Sequence, residues 1–387
     1  MLINQTFPAT QTQAPKHQPT ITKLCLEMLL AALLGYIGVS LNLGGITWIL
    51  SGIGAGVIVC RSYPHIYTYF CGDTIVIKPN RKIRQIGMLL VGLTIGFSNA
   101  RADFTNIATS IPIYIILTLF LLLSGACTGY IYSRLAKINL FTAMLATVPG
   151  GVGVMAAIAA DYNRNVTLVA LSQVFRVTSV VILIPLIARA SVNIYLPPQT
   201  LFNNQLAFNL EPIYIALLCL ALLLAGIFST LALRIKLPAA HFFSALLVGI
   251  IFNPIINLLP IQETTFIPPA IIGTIGQILL GITIGEYWGE KPTFGKRALL
   301  YMIITTAMTL ISGAVASLIA MSLTNWDWLT CLLVTAPGGA AEMILVALAI
   351  DHNVDIVTAG HLVRLIAINT SLPIWLYLFR RLEQSNQ

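Results

Sequence analysis

Long apolar runs alternate along this chain with short polar breaks. Twelve runs emerge, at about 22–42, 46–60, 83–99, 111–133, 138–160 and 167–188, then 213–233, 240–256, 270–286, 298–321, 328–350 and 357–379. They are continuous rather than alternating. About 20 apolar residues in a helix span the ~30 Å hydrocarbon core of a bilayer, whereas a membrane barrel shows ~10-residue alternating segments. The pattern therefore predicts an all-α polytopic membrane protein. Run 46–60 is short for a crossing and must be tilted, extended or partly unwound. The longest polar stretches, 61–82 and 189–212, are too short to hold a soluble domain.

Composition agrees. Of 387 residues, 57% are hydrophobic and 9% charged, and the mean hydropathy is +0.89. So few charges cannot cover a water-soluble body of this size, which excludes a cytosolic enzyme. The six cysteines are scattered singly, so they read as small hydrophobes rather than a disulfide frame or metal site. Residues 1–21 and 381–387 read as cytoplasmic tails, the first one disordered, with no cleaved signal.

The chain is internally duplicated. Residues 147–185 align without gaps on 335–373, with 11 of 39 positions identical. Shared apolar composition would not place Pro149/Pro337, Gly150/Gly338, Gly151/Gly339, Asn165/Asn353 and Arg176/Arg364 in one register. Gly87, Gly92 and Gly96 also match Gly276, Gly281 and Gly285. Two membrane repeats are expected, 22–190 and 213–380, joined by an extracytoplasmic linker at 191–212.

Basic residues vote on topology, because Lys and Arg favour the cytoplasmic side. Setting aside Arg176 and Arg364, which lie inside apolar runs, leaves 19 of the 21. If all twelve runs cross from a cytoplasmic N-terminus, 12 fall inside and 7 outside. If 138–160 and 328–350, each interrupted by Pro-Gly-Gly, enter and leave on one face, the tally becomes 17 and 2. The charges favour inverted repeats of about five crossings, each with one re-entrant element. A broken helix that crosses fully is the rival.

Four features could carry chemistry. The first is Pro149-Gly150-Gly151 with its copy Pro337-Gly338-Gly339. Proline removes a donor and paired glycines allow unusual dihedrals, so each helix should stop in mid-run. The restarting half-helix offers free N–H groups and a positive dipole end, suited to an anion. Paired interruptions at matching places in two halves point to a transporter site, although a kink that eases helix packing is the simpler reading. The second is Glu342, three residues past Gly339, where the first repeat has Val154; it is either a coupling acid or a structural cap. The third is Arg176 with Gln173, and Arg364 with His361, each pair three residues apart on the last run of its repeat. Arg there could bind a carboxylate, or tie the last helix to backbone carbonyls. The fourth is the glycine series, read as close helix packing.

The doubled Pro-Gly-Gly, the Ala-Pro-Gly-Gly-Ala-Ala-Glu-Met run at 336–343 and the His361-x-x-Arg364 pair resemble the AbrB-type duplicated integral membrane family. The resemblance covers about 25–380. It implies a bacterial inner-membrane protein whose relatives are labelled transcription regulators or ammonia monooxygenases, and it transfers no active site. A DNA-reading module and a histidine cluster for copper are both missing from the sequence. The expectation is a secondary transporter or exporter of a small anionic or zwitterionic metabolite, with proton or cation coupling as an option. No cofactor, metal, catalytic residue or nucleic-acid contact is expected. A membrane protein acting indirectly on gene expression through loop 61–82 is the alternative, and a membrane monooxygenase the third reading.

Overall fold

A computed structural model describes residues 20–41, 47–71, 79–100, 104–191, 211–235, 237, 239–258, 266–289, 296–350 and 352–385. Among them are fourteen helices and no strand. The first half holds α1 (Thr20–Ser40), α2 (Thr47–Cys71), α3 (Arg81–Ser98), α4 (Phe104–Ala136), α5 (Leu140–Thr147), α6 (Val152–Asp161) and α7 (Val166–Ser191). The second holds α8 (Pro212–Arg234), α9 (Ala240–Ile256), α10 (Ala270–Gly289), α11 (Lys296–Leu323), α12 (Trp328–Thr335), α13 (Ala340–Ala349) and α14 (Val354–Ser385). Each apolar run is one helix, except that both Pro-Gly-Gly runs are two. The tail at 1–19 and most of the linker, 192–210, lie outside the described residues.

Run 46–60 is extended rather than unwound. Helix α2 continues through Pro64 to Cys71, so the stretch 61–82 read as a loop is helical at both its ends. The apolar signal faded because the last turns of α2 are polar, not because the helix stops. Seven helices, α1, α4, α7, α8, α10, α11 and α14, are long and apolar enough to cross a membrane. Helices α2, α3 and α9 are not. Helix α9 is apolar but only 17 residues long, whereas α2 and α3 pack along α10 and α9 and are less apolar.

The packing interleaves the halves. Helix α2 lies along α10 and its counterpart α9 along α3, while α3 crosses α10, and α1 and α8 flank α2 and α9. In a second bundle α4 packs on α11, with α5, α6, α7, α12, α13 and α14 around them. The repeated glycines make the first bundle close. A Cβ on Gly92 or Gly96 would fall on the carbonyl oxygen of Phe242 or Leu246 in α9, and one on Gly281 or Gly285 on that of Ile49 or Ile53 in α2. Backbone cannot step aside as a side chain can. Gly281→Ala is therefore expected to force α2 and α10 apart and destabilise the protein by about 1–3 kcal/mol. Gly226→Ala on α8, which meets open space, should be neutral or stabilising. Melting temperatures in detergent compare the two, and equal values would contradict close backbone packing.

Candidate functional site: two interrupted helical hairpins

Each Pro-Gly-Gly run folds as a hairpin of two half-helices. The first arms have 8 residues and the second arms 10. At about 1.5 Å per residue they reach roughly 12–15 Å, half of a ~30 Å hydrocarbon core. The first arms stop where proline demands it. Val148 (ψ 134°) and Ala336 (ψ 129°), each preceding a proline, are extended.

The mouths of both hairpins are tied shut. Asn139 caps α5 through the Thr142 amide, 3.3 Å away. The Asn139 amide also donates to Glu383 on α14, whose other oxygen accepts from Arg164, past the end of α6, at 2.8 Å. In the second half Asp327 caps α12 at the Leu329 and Thr330 amides. It meets His352 Nε2 at 2.8 Å and accepts from Asn353 at 3.1 Å, both just past α13. Partial burial works against ionisation of Asp327. Hydrogen bonds from Thr330 and His352 outweigh it and hold the carboxyl below its ordinary value of 3.8. A depressed folded-state pKa contributes stability that is complete above the unfolded value and is lost as pH falls through the folded one. Asp327→Asn, which copies Asn139, should keep the cap and flatten the fall of melting temperature below about pH 4. An unchanged acid limb would remove Asp327 from that fall.

Deep in the second bundle the last helix of each half serves the carbonyls at the end of the first arm. The Gln173 amide donates to Leu145 O at 2.8 Å and Val148 O at 3.0 Å. Arg176 donates to Thr147 O at 2.7 Å and to the Gln173 oxygen at 2.6 Å. In the second half His361 Nε2 donates to Leu333 O at 3.0 Å, and Arg364 to Ala336 O at 2.8 Å and Gly338 O at 3.1 Å. His361 Nδ1 accepts from Arg364 at 2.6 Å, which fixes a neutral tautomer. Three carbonyls per half are satisfied this way. These are orphan acceptors at the negative end of a helix dipole, where a cation is favoured. Apart from the Arg176–Gln173 and Arg364–His361 bonds, the donors of these four residues point at backbone, and Arg176 Nε is buried without a partner among the described residues. Thr147 and Thr335 pin the same turns to α4 and α11 through Gly125 O at 2.9 Å and Gly313 O at 3.0 Å.

The second arms begin differently. Gly151 and Gly339 are N-caps that lend no side chain to the amides beyond them. Gly151 has φ +80°, and around Gly151 and Gly153 there is open space. Gly339 has φ −71°, and a Cβ there would collide with the Glu342 carboxylate. Glu342 is buried and folds back over the start of α13. No ion pair to an Arg is found for it among the described residues. From Ala341 to Ala347 α13 is buried, whereas α6 buries only Val152, Met155 and Ala159. One tip is filled by the chain's own carboxylate and the other is open.

A family model described as "Transition state regulatory protein AbrB" matches residues 48–380. The chain belongs to the AbrB family. It is 26% identical over 287 residues to a protein of Escherichia coli (strain K12) named "Putative regulator AbrB", covering 73% of this chain and 79% of that one. It is 24% identical over 304 residues to "Uncharacterized protein YhjN" of Bacillus subtilis (strain 168), covering 76% and 78%. Neither name assigns an enzymatic activity.

Three acidic residues, one at a hairpin mouth and two away from the hairpins, escaped the sequence reading. Glu383 lies past the last apolar run and was invisible as a hairpin latch. Glu27 and Glu286 sit inside the runs 22–42 and 270–286, where any acid is a signal. With Lys23 they form a buried ionic cluster.

Proposed function

We propose that this AbrB-family membrane protein is a secondary transporter or exporter of a small anionic or zwitterionic metabolite. The site is the space between the Pro149–Gly151 and Pro337–Gly339 tips. The observation that carries this reading is the pair of half-helix hairpins, with their C-terminal carbonyls satisfied by Arg176 and Arg364 and the α6 N-terminus left open. A carboxylate or phosphate placed at Gly151–Gly153 would meet unserved amides and a positive dipole end. Glu342 supplies the opposite charge at the other tip, where it could hold a substrate ammonium or a coupling proton. Arg176, Gln173, Arg364 and His361 act as positioning residues for the tips.

The proposed topology is inverted, in a bacterial inner membrane, with both termini cytoplasmic. Contacts around two carboxylates support it. Asn139 and Arg164, at opposite ends of the first hairpin, share one carboxylate, which supports a hairpin that enters and leaves on one face. Lys23 at the start of α1 meets Glu286 at the end of α10, and Asn80, just before α3, donates to the same Glu286 at 3.0 Å. These ends share a face only if the hairpin between them adds no crossing. Cysteines placed singly at positions 291–296 should then label only from the cytoplasm, and external labelling would sink the arrangement. Comparing metabolite pools between a deletion strain and an overexpressing strain tests the function itself. A pool that moves oppositely in the two strains supports export, and unchanged pools count against it.

The name of the E. coli relative favours a second reading, regulation of gene expression at a distance. In that reading a partner would meet the end of α2, where Arg61, His65, Ile66 and Tyr69 are exposed, or the change in expression would follow from a transported metabolite.

A further inference from the structure

Away from the hairpins, where α1 meets α2 and α10, three charges are buried together. Lys23 is 8% exposed, and Glu27 and Glu286 are 0% exposed. Glu286 is fully served. One oxygen takes the Lys23 ammonium, and the other accepts the Asn80 amide at 3.0 Å. Glu27 is not. Lys23 Nζ stands 3.3 Å from its Oε1, but neither Glu27 oxygen receives a hydrogen bond. From α2, Cys60 points its thiol to the Glu286 carbonyl at 3.7 Å, and Tyr63 pairs with Thr22 at 3.1 Å. The charges felt at Glu27 are those of Lys23 and Glu286.

Two acids and one ammonium leave an excess of one negative charge in a place sealed from water. A buried carboxylate without hydrogen bonds is among the costliest groups a fold can carry. A metal cation would relieve it poorly, because the ammonium already occupies the space between the acids and would repel it. A proton on Glu27 removes the excess without displacing anything. We infer that this cluster is a proton-binding site, with Glu27 as the carboxyl that holds the proton and Lys23–Glu286 as the fixed ion pair beside it. The site belongs to the α1–α2–α10 packing, apart from the hairpin tips, and stands whether or not those tips bind a metabolite.

Infrared spectroscopy of the purified full-length protein in lipid nanodiscs reads protonated carboxylic acids directly. At neutral pH the wild type is expected to show a buried carboxylic-acid band that disappears in Glu27→Gln, and also in Glu286→Gln, where loss of the excess negative charge leaves Glu27 to ionise beside Lys23, 3.3 Å away. Glu27→Gln, an uncharged isostere of the protonated acid, should keep the wild-type melting temperature, whereas Glu286→Gln should lower it by removing the carboxylate that Lys23 and the Asn80 amide share. A band that survives in Glu27→Gln, or is missing from the wild type, would overturn the assignment. So would a Glu27→Gln protein that melts far below wild type or fails to fold, since Glu27 would then be an ionised partner of Lys23. Stabilisation of the wild type by sodium chloride but not choline chloride, abolished in Glu27→Gln, would identify a metal cation instead and equally overturn it.

Discussion

Arg364→Ala should unfold this protein far more readily than any surface change. Arg364 donates to Ala336 O, Gly338 O and His361 Nδ1 at the end of α12. Hydrogen bonds to a charged donor contribute about 1.5–3 kcal/mol each, so losing two carbonyl contacts should cost on the order of 3–5 kcal/mol. Water cannot easily replace them at membrane depth. Arg364→Lys should recover at most part of this, because one ammonium does not reproduce the planar fork. The adjoining position offers a sharper contrast. Gln173 accepts from Arg176 and donates to carbonyls just as His361 does in its own half. His361→Gln should therefore cost less than about 1 kcal/mol, while His361→Leu, which strands Leu333 O and a guanidinium N–H, should cost about 2–3. Denaturant unfolding in detergent measures all four. A tolerated Arg364→Ala would mean that the α12 carbonyls are served some other way.

The second large effect should be on transport rather than on folding. Gly151 has φ +80° and ψ 139° with open space around it, so Gly151→Leu puts a β-carbon in a backbone conformation nearly confined to glycine, at a cost of about 1–3 kcal/mol, and a side chain into the proposed binding space. The protein should still insert and fold, but transport should vanish. Gly151→Ala should show the strain with less obstruction. Gly339 differs, since its φ of −71° suits any residue. There Gly339→Ala should act by pushing the Glu342 carboxylate off the start of α13, so that its effect resembles that of Glu342→Gln. Normal transport in Gly151→Leu would show that the open tip is not the site.

Much of this was legible in the sequence, for identifiable reasons. Helices in a bilayer must be apolar over a fixed length, so twelve runs gave twelve segments. Proline and paired glycine break a helix by covalent geometry, so the interruptions at 149–151 and 337–339 were readable as residues. The repeat register paired Arg176 with Arg364, and the option of a tie to backbone carbonyls was open from the start. What the sequence withheld was set by contacts distant along the chain. Nothing local tells Glu383 that it will meet Asn139 and Arg164, and nothing joins Lys23 to Glu286 before α1 and α10 pack. The difference between the two tips was half visible, as Val154 opposite Glu342. That one tip is open and the other filled follows from tertiary packing, which buries Ala341–Ala347 of α13 but only Val152, Met155 and Ala159 of α6.

Protein-dependent loss of solute from reconstituted liposomes tests the site most directly. Liposomes would be loaded with a defined mixture of monocarboxylates, dicarboxylates, phosphate esters and amino acids, and their contents measured by mass spectrometry over time. Wild-type protein should deplete at least one anionic or zwitterionic class, and equally folded Gly151→Leu protein should deplete none. Retention of every solute by the wild type, or the same depletion by Gly151→Leu, would contradict a transport site at the two Pro-Gly-Gly tips.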